Sequence, residues 1–427
     1  MEQKLLSQLS QEARAALYNE TKAAYDAFAA QKLQLNMARG NPSPEQLALT
    51  MPMMNTLSAD DSLISETGED CRNYGVPGGI LEVRTLFADL LGVPADEVFA
   101  AGNSSLQLMF NCFQIAYVHG IAGCTPWSQL DNVKFLCPVP GYDRHFAVAN
   151  YFGFEMIPIP MLADGPDMDM VAKYVESDES VKGIWCVPVY ANPTGVVFSD
   201  AVVRRFASLK PAAQDFRIFW DNAYFLHHIV ENPVTPLRIT DACKEFGSED
   251  MVYQFVSTSK VTFAGAGIAA VTMSKANLAQ FSRDMGIQTI GFDKINQLRH
   301  ARFFGNAEGV KEHMKLHAAI LKPKFDVVIE LLEQELKPLG LGTWSAPQGG
   351  YFISYQAPNG CAKRIVQLCK DAGVTLTPAG ATYPGGKDPD DSNIRIAPTY
   401  PSVDVLRKTM ELFCLCVKLA ALEKIES

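Results

Sequence analysis

Between residues 95 and 275 short apolar runs rich in β-branched and aromatic residues alternate with helical stretches. Seven such runs are present, at 97–101, 133–138, 154–160, 183–190, 217–221, 251–257 and 268–273. This alternation predicts an α/β fold built on a mostly parallel, doubly wound sheet of seven strands. Sheets of that kind take their ligands beyond the carboxyl ends of the strands. Gly102, Asn192, Asp221 and Lys260 all fall there.

From about residue 305 the pattern changes. A long helical pattern over 310–339, with a kink expected at Pro323, leads into Pro347-Gln-Gly-Gly-Tyr-Phe352. A helix at 363–372, extended pieces at 374–377 and 394–398, and a last helix from Val403 complete a smaller α+β unit. Near the start, 8–33 reads as an amphipathic helix, broken by the glycine and prolines of Met37-Ala-Arg-Gly-Asn-Pro-Ser-Pro44. The expected division is an N-terminal segment, 1–55, packing with the small domain, a large cofactor-binding domain, 56–305, and a small C-terminal domain, 306–427. A hydrophobic content of 48% over 427 residues supports cores of that size.

Composition narrows the function classes. A net charge of −10 and a pI near 5.3 argue against a nucleic-acid partner, which needs a basic face. They leave small anionic substrates open, since a few arginines dominate a pocket locally. The ten cysteines are scattered with no CxxC or Cys/His spacing, so no metal site is expected. No apolar stretch reaches 18 residues and the opening Met-Glu-Gln-Lys-Leu-Leu is polar-apolar and helical, unlike an export signal. A reduced, cytoplasmic enzyme without membrane contact is therefore expected.

Lys260 closes Ser-Thr-Ser-Lys directly after an apolar run. A lone lysine is usually a solvated surface charge. At a strand end, with its amine desolvated, it can form a Schiff base. Asp221 ends Arg217-Ile-Phe-Trp-Asp; by itself it is a helix cap, yet a carboxylate there can also keep a pyridine nitrogen protonated. Tyr224 and Asn192 can donate to a phenolic oxygen, although Asn192-Pro-Thr-Gly also reads as a plain turn. Together these are the parts a protein supplies to pyridoxal 5'-phosphate. Gly102-Asn-Ser-Ser-Leu106 opens a helical run, where backbone N–H groups and the hydroxyls of Ser104 and Ser105 suit a phosphate, with Ser257 and Ser259 adding hydroxyls. Tyr142 can stack on the ring, and His145 can sit behind Asp221. Arg395, inside the apolar run Asn393-Ile-Arg-Ile-Ala-Pro, has a planar fork that matches a carboxylate.

This set resembles the fold-type I pyridoxal-phosphate enzymes of the aspartate aminotransferase superfamily, over nearly the whole chain. The resemblance implies Lys260 as the cofactor-bearing lysine, Asp221 as the ring-nitrogen partner, and Asn192 and Tyr224 as phenolic-oxygen donors. It implies Tyr142 as the stacking ring, Asn103, Ser104, Ser105 and Ser257 as the phosphate cup, and Arg395 as the α-carboxylate arginine. Tyr74, in Asn73-Tyr-Gly-Val-Pro-Gly-Gly79, matches a tyrosine that reaches the partner subunit's cofactor, which implies a homodimer. Arg39-Gly-Asn-Pro-Ser-Pro and Pro140-Gly-Tyr-Asp-Arg-His resemble a divergent bacterial, MocR-like subgroup that includes aspartate aminotransferases. One departure stands out: most relatives carry a phosphate-binding arginine eight residues after the lysine, where this chain has Ile268.

The expected activity is amino transfer between an L-amino acid, aspartate or glutamate, and a 2-oxo acid. A β-lyase or decarboxylase on the same scaffold is the alternative, and a non-catalytic effector-binding module is a third reading. A dicarboxylic substrate needs a second cation besides Arg395. Arg144 beside Tyr142, Arg39 next to the Gly40 turn in the segment expected to cover the substrate, and Lys294 are the candidates, in that order for the first two.

Overall fold

The computed structural model describes residues 5–426, so the helical reading of residues 1–4 lies outside the described residues. Its central sheet runs in the order Val98–Ala100, Ala269–Thr272, Val252–Ser257, Arg217–Asp221, Val181–Cys186, Lys134–Val139, Glu155–Leu162, Gly165–Pro166. The five strands from Val252–Ser257 to Glu155–Leu162 pair in parallel. Antiparallel strands close both ends. All seven expected strands are present. The sheet is nonetheless eight-stranded, because Gly165–Pro166 pairs with the end of Glu155–Leu162. Two residues with glycine and proline carry no alternation that sequence reading can detect.

The inner parallel strands are mainly apolar because both faces are covered, whereas Glu155–Leu162 toward the edge is mostly exposed or half-buried. Within Arg217–Asp221 every residue is buried. Phe219 packs on one face with Phe135, Trp185 and Phe255, while Ile218 and Trp220 pack on the other with Phe198 and Phe206. Asp221 is thus delivered at the end of a strand that burial holds from both sides.

The helix Ala307–Glu335 continues through Pro323, and its C-terminal half packs against the last helix, Val403–Glu426. A three-stranded antiparallel sheet joins Thr343–Trp344, Ile353–Gln356 and Asn393–Ile396. The N-terminal helix Gln11–Ala29 lies on Val403–Glu426, with the Tyr25 hydroxyl donating to the Leu368 carbonyl at 2.9 Å. Leu35–Asn36 pairs in parallel with Val374–Thr375. These contacts hold residues 38–43 beside the strand that carries Arg395, where Thr377 Oγ1 donates to the Ala38 carbonyl at 2.7 Å.

Candidate active site

A cavity of about 140 Å³ opens at the carboxyl ends of the parallel strands. Nine of the singled-out residues line it: Ser104, Ser105, Tyr142, Asn192, Asp221, Tyr224, Ser257, Ser259 and Lys260. Leu106, Met109, Val187 and Ala223 complete the wall; as ordinary apolar residues they carried no signal in the sequence. A larger cavity, about 950 Å³, lies elsewhere among mostly apolar side chains and contains none of these groups.

Asp221 is buried, and its Oδ2 lies 3.1 Å from His145 Nε2. The imidazole stacks on Trp185 at 4.4 Å, which fixes its plane. Asp221 Oδ1 is buried and has no partner. Asn192 Oδ1 accepts from Arg395 Nη1 at 3.3 Å, while its amide nitrogen is buried without a partner. Buried polar atoms are normally bonded. Two orphans on one small cavity, a carboxylate oxygen and an amide donor, match the needs of a protonated ring nitrogen and a phenolic oxygen. Pyridoxal phosphate fits this donor set. Asn192 follows Tyr190, a non-glycine residue held at φ 53° with its hydroxyl 2.7 Å from His228 Nδ1. Such a conformation persists only where packing imposes it.

Lys260 Nζ lies 4.9 Å from the centre of the Tyr224 ring and 5.9 Å from that of Tyr351. Desolvation lowers its pKa, and Asp221 pulls the other way. Burial, with Tyr142 and Asp221 nearby, raises the Tyr224 hydroxyl well above its ordinary value, so it stays a donor. Burial likewise pushes Tyr142 up to about 12.

The helix Ser105–His119 is capped by Ser104, whose Oγ accepts from Gln107 N at 3.4 Å, and no acidic residue lies in its first turn. That end of the cavity suits a phosphate. Asn103 is less direct: its side chain donates to the Gly265 carbonyl at 3.0 Å, and its own carbonyl accepts from Ser259 Oγ at 2.9 Å. Ile268 is sealed into the core with Val256 and Ala270, and its N–H donates to Thr258 Oγ1 at 2.8 Å. A side chain at this position points into the core, so no arginine is to be sought there.

Arg395 is buried over the Phe352 ring at 4.8 Å. Besides Asn192 it bonds Asp143 Oδ1 at 2.9 Å and Thr377 Oγ1 at 3.3 Å, leaving Nε buried and unpaired. Asp143, Thr377 and Phe352 were not anticipated. Gly40 meets the same Phe352 ring, where an added Cβ would come within 2.5 Å of Cζ, so only glycine allows the chain this close. Arg39 and Arg144 are exposed, and neither side chain is paired among the described residues. Arg144 is near enough to Tyr142 to act on its hydroxyl electrostatically. Lys294 is corrected. It is buried with Nζ 3.1 Å from the Gly75 carbonyl, which makes it an internal tie for the Tyr74 loop and removes it from the candidate side-chain readers. Tyr74 is 79% exposed and does not line the cavity of its own chain.

The family model described as aspartate amino-transferase matches residues 9–427. The chain belongs to the aspartate aminotransferase family. It is similar to a putative aminotransferase of Mycolicibacterium smegmatis, 45% identical over 93% of this chain and 94% of that one. An aspartate aminotransferase of Corynebacterium glutamicum is 43% identical over 96% of this chain and 95% of its own. A crystal structure of an aspartate transaminase from Corynebacterium glutamicum superposes with a TM-score of 0.95 at 42% identity, covering 98% of this chain and 99% of that one. This aminotransferase therefore has fold type I and depends on pyridoxal phosphate. Among its described residues no helix is long and apolar enough to cross a membrane.

Proposed function

We propose that this aminotransferase moves the amino group between aspartate or glutamate and oxaloacetate or 2-oxoglutarate. The observation that carries the reading is that the unpartnered Asp221 Oδ1 and Asn192 Nδ2 share a cavity next to buried Arg395, whose Nη1 donates to Asn192 Oδ1 at 3.3 Å. Pyridoxal phosphate, when bound, supplies an electron sink for the substrate's α-carbon. Asp221 keeps the ring nitrogen protonated, and His145 holds that carboxylate in place. Asn192 and Tyr224 donate to the phenolic oxygen, and Tyr142 covers the ring. Ser104, Ser105, Ser257 and Ser259 hold the phosphate with the N-terminus of Ser105–His119. Arg395 takes the α-carboxylate on its unpaired Nε edge, with Gly40 closing against Phe352 beside it. Lys260 Nζ, whose pKa desolvation lowers, would take the proton from the substrate's α-carbon and return it at the cofactor's C4′.

The distal carboxylate falls to Arg144, with Arg39 the next choice; both are unpaired, so neither has to leave a partner. The relative named aspartate aminotransferase supports this side-chain choice. The active unit is a homodimer in which exposed Tyr74 serves the neighbouring site. The ten cysteines are all unpaired, which suits a cytoplasmic location. The test is a half-reaction screen: single amino acids are mixed with the loaded protein and the cofactor's visible band is followed. Aspartate and glutamate should discharge it fastest. Preference for aromatic donors would overturn the dicarboxylate assignment, and release of pyruvate or carbon dioxide would place the protein among β-lyases or decarboxylases instead.

A further inference from the structure

The turn that carries Lys260 is gripped through its main chain by groups that none of the roles above uses. The Lys260 carbonyl accepts from the Tyr351 hydroxyl at 3.5 Å and lies 3.3 Å from His227 Nε2. The next carbonyl, of Val261, lies 3.0 Å from His313 Nε2. Tyr351 Oη in turn accepts from Gln46 Nε2 at 3.0 Å, and the same amide nitrogen lies 3.0 Å from His317 Nδ1. His317 Nε2 is 3.1 Å from His313 Nε2.

The direction of these bonds follows from one end. Gln46 Oε1 accepts from the Ser43 N–H at 3.0 Å in the capping box of Pro44–Thr50, so its Nε2 is the donor to both other partners. His317 Nδ1 is then an acceptor and its proton sits on Nε2, directed at His313 Nε2; that nitrogen then has no proton for the Val261 carbonyl, so the connected path to the turn is the one through Tyr351. Gln46, His227, His313, His317 and Tyr351 are all buried. Desolvation lowers His227 to about 3 and His317 to about 4, so both rings are neutral at pH 7. One atom among them, His227 Nδ1, is buried without a partner, and the members come from four separate stretches of chain. One of those, Pro44–Thr50, directly follows the residues 38–43 that lie beside Arg395. Within that stretch the Asn41 carbonyl accepts from Thr399 Oγ1 at 2.9 Å.

We propose that Gln46, His317 and Tyr351 are positioning residues for Lys260, holding the carbonyl of the lysine itself through the Tyr351 hydroxyl and tying the lysine to the segment that covers the substrate carboxylate. The proposal rests on the reading of Lys260 as the cofactor-bearing residue. It makes the spacing between Lys260 and the Gly40 segment a built dimension, set by a continuous chain of hydrogen bonds.

The test compares Tyr351→Phe, which removes one oxygen, and His317→Leu, which removes the acceptor, with His317→Asn, whose Oδ1 falls close to the place of Nδ1. In cofactor-free protein, competitive acetylation of Lys260 across pH, read by peptide mass spectrometry, gives the midpoint of its amine. Loosening the turn admits water, so Tyr351→Phe and His317→Leu should raise that midpoint by about one pH unit. In the loaded enzyme the same two should lower kcat about tenfold while KM stays within about twofold. His317→Asn should match the wild type in both readouts. Folded Tyr351→Phe with an unchanged Lys260 midpoint would overturn the proposal, and so would equal losses in His317→Asn and His317→Leu. Tyr351→Phe decides alone if His317→Leu does not fold. Borohydride trapping in the wild type separates the two readings. Cofactor absent from Lys260 defeats the site assignment, while cofactor on Lys260 with unmoved midpoints defeats only the network.

Discussion

Asp221 uses half of its carboxylate inside the protein: Oδ2 meets His145 and Oδ1 is left buried and unbonded. A buried carboxylate oxygen without a partner is a standing cost, offset when a protonated ring nitrogen arrives. Asp221→Asn should keep the fold and the cofactor but cannot hold that proton. Losing one such charge pair in a dry site costs roughly 3–5 kcal/mol, or about two to four decades of rate. Single-turnover deprotonation of aspartate measures this; near-wild-type rates would reduce Asp221 to a structural partner of His145. At the other end of the substrate, Arg144→Ala should raise KM for aspartate by about tenfold or more and leave alanine nearly unchanged. Equal effects on both substrates would return the role to Arg39. Residues of this kind were legible unevenly. Lys260, Asp221 and Arg395 stood out because charged groups rarely end or interrupt apolar runs. Asp143 did not, since an acid in a helix's first turn looks the same whether it caps the helix or, as here, pairs with a buried arginine. Nor did the interplay of Gln46, His317 and Tyr351, whose partners lie more than 250 positions apart.

At the scale of elements, the inner strands were readable because burial on both faces leaves mainly apolar runs, and the site followed from where those runs stop. The long helix Ala307–Glu335 contains Pro323 as the pattern indicated, and it is held by packing against Val403–Glu426 and by Lys324 Nζ donating to the Thr399 carbonyl at 2.8 Å. Helices also carry the protein's acid sensitivity. Burial lowers His300 and His317, on neighbouring helices, to about 4. An unfolded chain binds these protons near pH 6.5, so it binds them first as pH falls. Their contribution to stability is complete above about pH 6.5 and is lost between there and about pH 4, on the order of 3 kcal/mol each. Buried His227, lowered to about 3, adds to the same slope; urea unfolding at pH 7, 5.5 and 4.5 should show it, and His317→Asn should flatten the part these three histidines share by about a third. An unchanged slope in the variant would mean that other groups set the acid limit.

The whole molecule is a sheet-based body and a smaller unit that share the N-terminal segment, with a tyrosine standing out from the surface beside its cavity-bearing body. Tyr74 is 79% exposed although Lys294 anchors the neighbouring Gly75 from within, an arrangement that presents the ring outward on a fixed base. If two copies share their sites, mixing inactive Lys260→Ala and Tyr74→Phe subunits yields hybrids with one site free of both lesions. Activity above either parent is expected; none in hybrids of verified composition would confine Tyr74 to its own subunit.

Every role assigned to the site depends on one covalent bond, the one at Lys260. Protein loaded with pyridoxal phosphate, reduced with borohydride and digested, should carry the phosphopyridoxyl mass on the peptide containing Lys260 and on no other lysine. A reduced adduct at a different lysine, or none at all in protein that holds the cofactor, would contradict it.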